Sequence, residues 1–360
     1  MCDCLVALAP ATAGGASLWA KSSDRPPAEP QRLEWHLPRR EEAPVRATHV
    51  EVEPFPGPTI GVVGSRPWWL WGFEHGVNEA GVAAGNDTIY TTLDPRAAPP
   101  GLLGMDLVRL ALERGDTAER AVGVIVELLE RHGQGGTGHH GVDRPYWSSF
   151  LVADPADAWV VETSGTTWAS EQVGRTRAIS NRTTIPAFDA EHRHPRQPVT
   201  TLVDPRLRAS RAVLAEEPVD VDALLAHQRS HVGDDGWTVC MHVDGVEAAA
   251  PPRPPGARGH QGGIEAEATT AAAVAELPVG GRPLVRWVAG SPCRSVYVPL
   301  HVGRDLGVPV VGERFAALSA ERATALGELE ASLAADVADD DAWAPEAWHR
   351  VDEVLTGLGV

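Results

Sequence analysis

The sequence predicts an α+β fold with mainly antiparallel sheets, on three observations. The chain opens on an apolar strand, a turn and a second strand. Two helical stretches follow residue 102, and residues 150–173 alternate turns with strands rich in Val, Trp and Thr.

Composition sets the outer bounds. A chain of 360 residues makes one large domain or two ordinary ones, and 43% hydrophobic with 22% charged residues is a globular balance. Lys+Arg of 31 against Asp+Glu of 49 gives a formal charge of -18, which argues against nucleic acid or an anionic membrane as partner. Four cysteines are too few for a disulfide framework and fit a reducing cytoplasm. The lean toward Ala, Arg, Gly and Pro suggests a GC-rich bacterial genome. The stretch from Leu5 to Ala20 is apolar, but it lacks a basic start and is broken by Pro10 and Gly14-Gly15, so it is read as structure. No stretch is long and apolar enough for a transmembrane helix.

In order, Cys2 to Ala9 reads as a buried strand, Pro10 to Gly15 as a turn and Ser17 to Ser22 as the returning strand. Lys21 and Asp24 then sit just past the hairpin, level with Cys2. Residues 25–58 read as a surface excursion with one or two edge strands near His49 to Glu53. The three tryptophans of Pro67 to Trp71 suit core or a pocket wall. Asn78-Glu79-Ala80-Gly81 is a tight turn between strands, and Asn86 ends the second of them. Leu102 to Arg114 is the first helix, and Asp116 with Glu119 opens the second as a capping-box-like pair. His132 to Gly141 is a Gly-rich loop, and its adjacent His139 and His140 lack a nearby third ligand, so no metal site is assigned. Ala178 to Ile185 is a strand with Asn181 in its middle; Asn is depleted inside strands, which points to a ligand-facing position. Asp204 to Leu214, carrying Arg211, and Asp220 to His227 read as helices. Gly236 to His242 and Val285 to Val298 are strand-like, with Cys240 and Cys293 as small buried hydrophobes. Residues 248–263 form a Pro/Gly/Arg-rich loop, and Glu313 to Ala335 one long helix. Residues 1–300 thus form the main domain, and residues 301–360 a helical C-terminal part that docks on it or mediates self-association.

Cys2 is the centre of the functional reading. Initiator methionine is normally removed when a residue as small as cysteine follows, which leaves an α-amine and a thiol on one residue. An α-amine titrates near ~7.7–8.0 and a thiol near ~8.5, so the two can share a proton at neutral pH. Lys21 beside the thiol would favour thiolate, and Asp24 beside the amine would orient it or accept its proton. The amide of Asn86 could donate to an oxyanion.

These residues lie within stretches that resemble the secernins and related bacterial dipeptidases. The matching runs are Cys2-Asp3, Ala20-Lys21-Ser22-Ser23-Asp24-Arg25-Pro26, Asn78-Glu79-Ala80-Gly81-Val82, Gly104-Met105-Asp106-Leu107, Ser149-Phe150-Leu151-Val152-Ala153-Asp154-Pro155 and Arg177-Ala178-Ile179-Ser180-Asn181. The resemblance implies the N-terminal nucleophile hydrolase fold, a four-layer αββα sandwich, with Cys2 as nucleophile and amide hydrolysis as the reaction. It implies Lys21 and Asp24 as the basic and acidic residues after the first hairpin, Asn86 and Asn181 as oxyanion donors, and Arg211 of the Ser210-Arg211 pair as the helix arginine. Cys4 departs from the pattern, which has Thr there, and sets a second thiol on the face of Cys2. The expected function is cleavage of a small linear amide, a dipeptide above all, with no cofactor and no metal. A non-catalytic regulatory protein on the same fold, and an acyltransferase using the same acyl-Cys2 intermediate, are the alternatives.

Overall fold

The computed structural model describes residues 2–195, 203–231, 239–241, 267–304, 313–316, 318 and 323–360. The predicted loop at 248–263 and most of the strand at 236–242 lie outside the described residues. One six-stranded sheet runs β12 (Thr176–Ser180), β1 (Cys2–Ala7), β2 (Ser17–Arg25), β13 (Ala268–Leu277), β14 (Leu284–Ala289) and β15 (Val298–His301). A seven-stranded sheet runs β11 (Thr167–Gln172), β10 (Ala158–Ser164), β9 (Trp147–Ala153), β8 (Ala83–Ile89), β7 (His75–Asn78), β6 (Val62–Pro67) and β3 (Gln31–His36). The short strands β4 (Val45–Arg46) and β5 (Glu51–Val52) pair separately. The described pairings of both sheets are antiparallel.

Alternation along each strand divides its side chains between two layers. On β1, Cys4 and Val6 face inward and meet Leu151 and Val160 of the other sheet in the inter-sheet core. Leu5 and Ala7 face outward, against Leu207 and Leu214 of α4 (Asp204–Ala215) and Leu224 of α5 (Val221–Gln228). The outer face of the second sheet, with Ala84, Phe150 and Val161, is covered by α1 (Gly104–Arg114) and α2 (Ala118–His132). Helix, sheet, sheet, helix is therefore the order of layers. Trp19 joins the two sheets, with no exposed surface and its Nε1 donating to the Leu151 carbonyl at 3.2 Å. Truncating such a side chain to alanine typically costs about 3–5 kcal/mol.

Several boundaries differ from those expected. β3 pairs along the edge of β6, so residues 31–36 belong to the main sheet; the Pro- and Arg-rich context masks a strand that borrows its pairing from a distant neighbour. The cap of α2 is Thr117, whose side chain accepts from the Arg120 N–H, and not Asp116. The helix expected over 313–335 is interrupted: α6 (Glu313–Ala316) and α7 (Thr324–Asp336) are separate, with Leu318 and Ala323 non-helical. α3 (Pro186–His192) is an additional short helix. Leu326, Leu329 and Leu333 of α7, with Trp343 and Trp348 of α8 (Trp343–Gly357), pack into the same core as β14 and β15. Among the described residues no helix is long and apolar enough to cross a membrane.

Candidate active site around Cys2

Cys2 begins β1, paired with Ser23 of β2, and the next residue, Asp3, pairs with Ser180 of β12. Holding it between two neighbours leaves only 6% of its surface exposed. Its main-chain nitrogen donates to Oδ1 of Asn181 at 2.8 Å, and its carbonyl accepts from Ser180 Oγ at 2.9 Å. Asn181 is not in mid-strand as the sequence suggested. It follows the end of β12, where the chain turns so sharply that the Arg182 N–H donates to the Ser180 carbonyl at 2.6 Å. There its Nδ2 donates to the Thr88 carbonyl at 2.9 Å.

Residues opposite one another on paired strands share a face. Cys4 is opposite Lys21, so Cys2, Cys4, Lys21 and Ser23 all look into the space between the sheets. Lys21 lies inside β2 and is fully buried. Its Nζ donates to the Asn86 carbonyl at 2.6 Å and to Asp87 Oδ1 at 3.1 Å, and the Cys4 thiol lies 3.5 Å from the same Asp87 oxygen. Gly85 of β8 makes the approach feasible, because a Cβ there would stand 2.5 Å from Lys21 Cδ. Burial opposes the Lys21 charge, but the sulfurs of Cys2 and Cys4 whenever they are ionised, together with the Asp87 carboxylate, outweigh it, and its affinity for a proton is raised.

The electrostatics keep the proton on the thiol. Burial pushes the Cys2 thiol up to about 11, with Lys21 pulling the other way. Burial also raises Asp87 to about 6, partly offset by Lys21. His75, whose Nδ1 is 3.4 Å from Ser23 Oγ, is held neutral by burial and by Lys21. A nucleophilic Cys2 therefore needs a base in contact with it, and Lys21 alone does not create a standing thiolate.

Asp24, expected beside the Cys2 amine, instead faces the other way with Asp3, toward α4, because side chains alternate along β2 and Ser23 takes the position opposite Cys2. Arg206 Nη1 donates to Asp24 Oδ2 at 2.6 Å, Arg206 also pairs with Asp3, and Thr269 Oγ1 donates to Asp24 Oδ1 at 2.6 Å. Arg206 is buried to 1% exposure. Arg211, the helix arginine expected from the sequence, is not brought to Cys2. It is exposed and lines a cavity of about 380 Å³ with Arg182 and Asp204, five residues and more than one turn of α4 beyond Arg206. The sequence cue that distinguishes Arg206 is its place two residues after Asp204 in the first turn of a helix whose inner face packs on β1.

Asn86 lies within β8 and not at its end. Its side chain points at the start of α1, where Nδ2 is 3.5 Å from Met105 Sδ, and its Oδ1 has no hydrogen-bond partner among the described residues. Gly104 leaves the room, since a Cβ there would be 2.7 Å from Asn86 Nδ2. Its neighbours Gly85 and Asp87 face Lys21, so by strand alternation the Asn86 side chain faces the outer layer and, unlike the expected oxyanion donor, is not brought to Cys2; only its carbonyl reaches the site, accepting from Lys21.

A ring of paired charges that the sequence did not disclose surrounds this centre. Arg25 Nη1 bonds Glu74 Oε1 at 2.6 Å and Arg25 Nε bonds Glu29 Oε2 at 2.9 Å. Glu29 also accepts from Trp69 Nε1 and from the His140 N–H, each at 2.8 Å, which ties the Trp-rich and Gly-rich loops to the end of β2. His139 is engaged by Arg144, at 3.2 Å from its Nε2. Tyr146, also buried, donates to Met105 Sδ at 3.2 Å. The contacts of Glu74 with Arg25, of Glu29 with Trp69 and His140, and of Tyr146 with Met105 join segments far apart in the chain, so no local pattern announces them.

No protein-family model matches the chain. Among solved structures it is similar to the C2A mutant of conjugated bile acid hydrolase from Clostridium perfringens, with a TM-score of 0.52 and 13% identity over 84% of this chain and 92% of that one. The R18L variant of the Clostridium perfringens enzyme gives 0.50 and 12% identity over 83% and 92%. Penicillin V acylase from Agrobacterium tumefaciens gives 0.45 and 16% over 84% and 87%. With its antiparallel sheets stacked between helical layers, the chain has the N-terminal nucleophile hydrolase fold.

Proposed function

We propose that this protein is a cysteine amidohydrolase that cleaves a small linear amide of the dipeptide class. The observation that carries the proposal is the 2.8 Å bond between the Cys2 nitrogen and Asn181, at the head of a central strand whose first thiol is buried beside Lys21. Once Met1 is removed, that nitrogen is an α-amine already held by an acceptor. The neutral amine takes the Cys2 proton as Sγ attacks the substrate carbonyl carbon, and the carbonyl oxygen becomes an oxyanion. Collapse of the tetrahedral species breaks the C–N bond, with the ammonium returning its proton to the leaving nitrogen. Water, deprotonated by the same amine, then attacks the thioester and restores the thiol. In this scheme Asn181 positions the amine, Lys21 stabilises negative charge on sulfur, and Arg206 with Asp24 and Asp3 fixes the outer side of β1 and β2.

The similar solved structure is a hydrolase of conjugated bile acids, in keeping with amide hydrolysis. The charged ring of Arg25, Glu29 and Glu74 suits a small polar substrate better than an apolar acyl chain, and the sequence resemblance to dipeptidases points the same way. The test is turnover of a dipeptide panel by wild type and by a folded Cys2→Ala variant. Hydrolysis that disappears in the variant supports the reading, whereas turnover retained at the wild-type rate refutes it.

A further inference from the structure

The cluster of His231, Cys240 and Cys293 shares no residue with the candidate active site and carries different chemistry. One ligand atom from each residue, an imidazole nitrogen and two sulfurs, falls within 4.8 Å of the others. The three come from separate segments. His231 follows the end of α5, Cys240 stands in the short segment 239–241, and Cys293 is in the turn between β14 and β15. Cys240 is buried, Cys293 half-buried and His231 exposed, so the cluster runs from the interior to solvent.

We propose that these three side chains form a site for a thiophilic divalent ion of the zinc class, which clips the three segments together. Tetrahedral zinc with bonds of about 2.3 Å to sulfur and about 2.0 Å to nitrogen sets ligand atoms about 3.5–3.8 Å apart, a spacing this cluster reaches with small side-chain adjustment. Two thiolates and an imidazole select zinc over magnesium or calcium, which take oxygen ligands. Three protein ligands leave the fourth corner for solvent. The backbone already converges: the Cys240 N–H donates to the Ser230 carbonyl at 3.1 Å, Arg229 Nε to the Pro292 carbonyl at 3.1 Å and Ser291 Oγ to the Met241 carbonyl at 2.9 Å. The same segment supports the outer side of the Cys2 strands, because Arg206 Nη2 donates to the Val239 carbonyl at 3.2 Å and the Thr269 N–H to the Met241 carbonyl at 2.9 Å. The bound ion thus ties the segment that supports Arg206 to the end of α5 and to the turn between β14 and β15.

The test is zinc content of the full-length protein after Zn²⁺ loading and desalting, paired with Co²⁺ substitution. The expected result is one equivalent of zinc and a thiolate-to-cobalt charge-transfer band, both retained in Cys2→Ala, which removes a competing thiol. Both are expected to vanish in Cys240→Ala and in Cys293→Ala. His231→Ala truncates only an exposed side chain, so it serves if the cysteine variants do not fold; it is expected to weaken zinc at least about 10–100-fold. Absence of retained zinc and of the cobalt band in wild type, an unchanged band in the Cys240→Ala, Cys293→Ala double variant, or unchanged zinc affinity in His231→Ala would each overturn the proposal.

Discussion

Asn181 accepts the Cys2 N–H on Oδ1 at 2.8 Å while its Nδ2 donates to the Thr88 carbonyl at 2.9 Å. The two bonds together set the orientation of the amide, since a flip would place N–H against N–H and oxygen against oxygen. Asn181 therefore offers an acceptor, not a donor, to the residue that performs the chemistry. Replacing it with alanine is expected to lower kcat about 10²-fold through misplacement of the amine, with KM little changed. Asn181→Asp keeps the acceptor and is expected to retain more activity. Steady-state kinetics on the pair decide: equal losses would contradict the acceptor role.

Asn86 presents its side chain to α1 and not to Cys2. Its Nδ2 faces the Met105 thioether at 3.5 Å, on the side of β8 opposite Lys21. Asn86→Ala is therefore not expected to show the loss of about 10²–10³ in kcat that removal of an oxyanion donor brings. Steady-state kinetics on the folded variant check this, and a loss of that size would contradict the placement.

Lys21 and Asp87 form an ion pair with no exposed side-chain surface. Breaking such a pair from one side leaves an uncompensated buried charge, so Lys21→Met is expected to destabilise by about 3–5 kcal/mol. The Lys21→Met, Asp87→Leu double variant is expected to recover much of that loss. Urea denaturation of the two singles and the double measures the coupling, and simple additivity would show that the pair is not a unit.

The pH dependence of that pair has a definite sign. Burial raises Asp87 to about 6 in the folded protein, above its ordinary value near ~3.9. The native state therefore binds the extra proton, and this group's contribution to stability is complete below about 3.9 and is lost as pH rises through about 6. The stability of wild type relative to Asp87→Asn should fall between pH 4 and 7, by as much as about 3 kcal/mol. Paired denaturation curves across that range test it; a difference that is flat or grows with pH would show the opposite linkage.

Arg206 and Arg211 separate cleanly as well. Arg206 is buried against Asp24 and Asp3, whereas Arg211 is exposed. Arg206→Leu is expected to destabilise by about 3–5 kcal/mol, and Arg211→Ala to stay within about 0.5 kcal/mol with turnover unchanged. Thermal melts and turnover of both variants check the assignment, which fails if Arg211→Ala abolishes activity in a folded protein.

Much of the architecture is legible because it is local. The apolar run at Cys2, the Asn78–Gly81 turn, where Gly81 takes φ 91°, and the periodicity of α1 and α2 each rest on neighbouring residues. The placement of Lys21 beside the Cys2 strand was also legible, because one hairpin brings the two strands side by side; Asp24, on the same hairpin, turns to the opposite face and pairs with Arg206. Asp87 and His75 were not, because they reach the site across the gap between two sheets, with sequence separations of 66 from Lys21 and 52 from Ser23. Arg206 was missed for a related reason. Which arginine of α4 turns inward depends on the helix's rotation against β1, and a helix with apolar residues at 207 and 214 leaves that rotation open until the sheet is in place.

The measurement that bears most directly on the central claim is intact-mass and peptide mapping of the purified protein, before and after rapid quenching with a turned-over dipeptide or acyl amide. The purified chain is expected to begin at Cys2 and, after quenching, to carry one acyl group as a thioester on that residue. A chain that retains Met1 yet turns over substrate, or an acyl group mapped to any other residue, would contradict it.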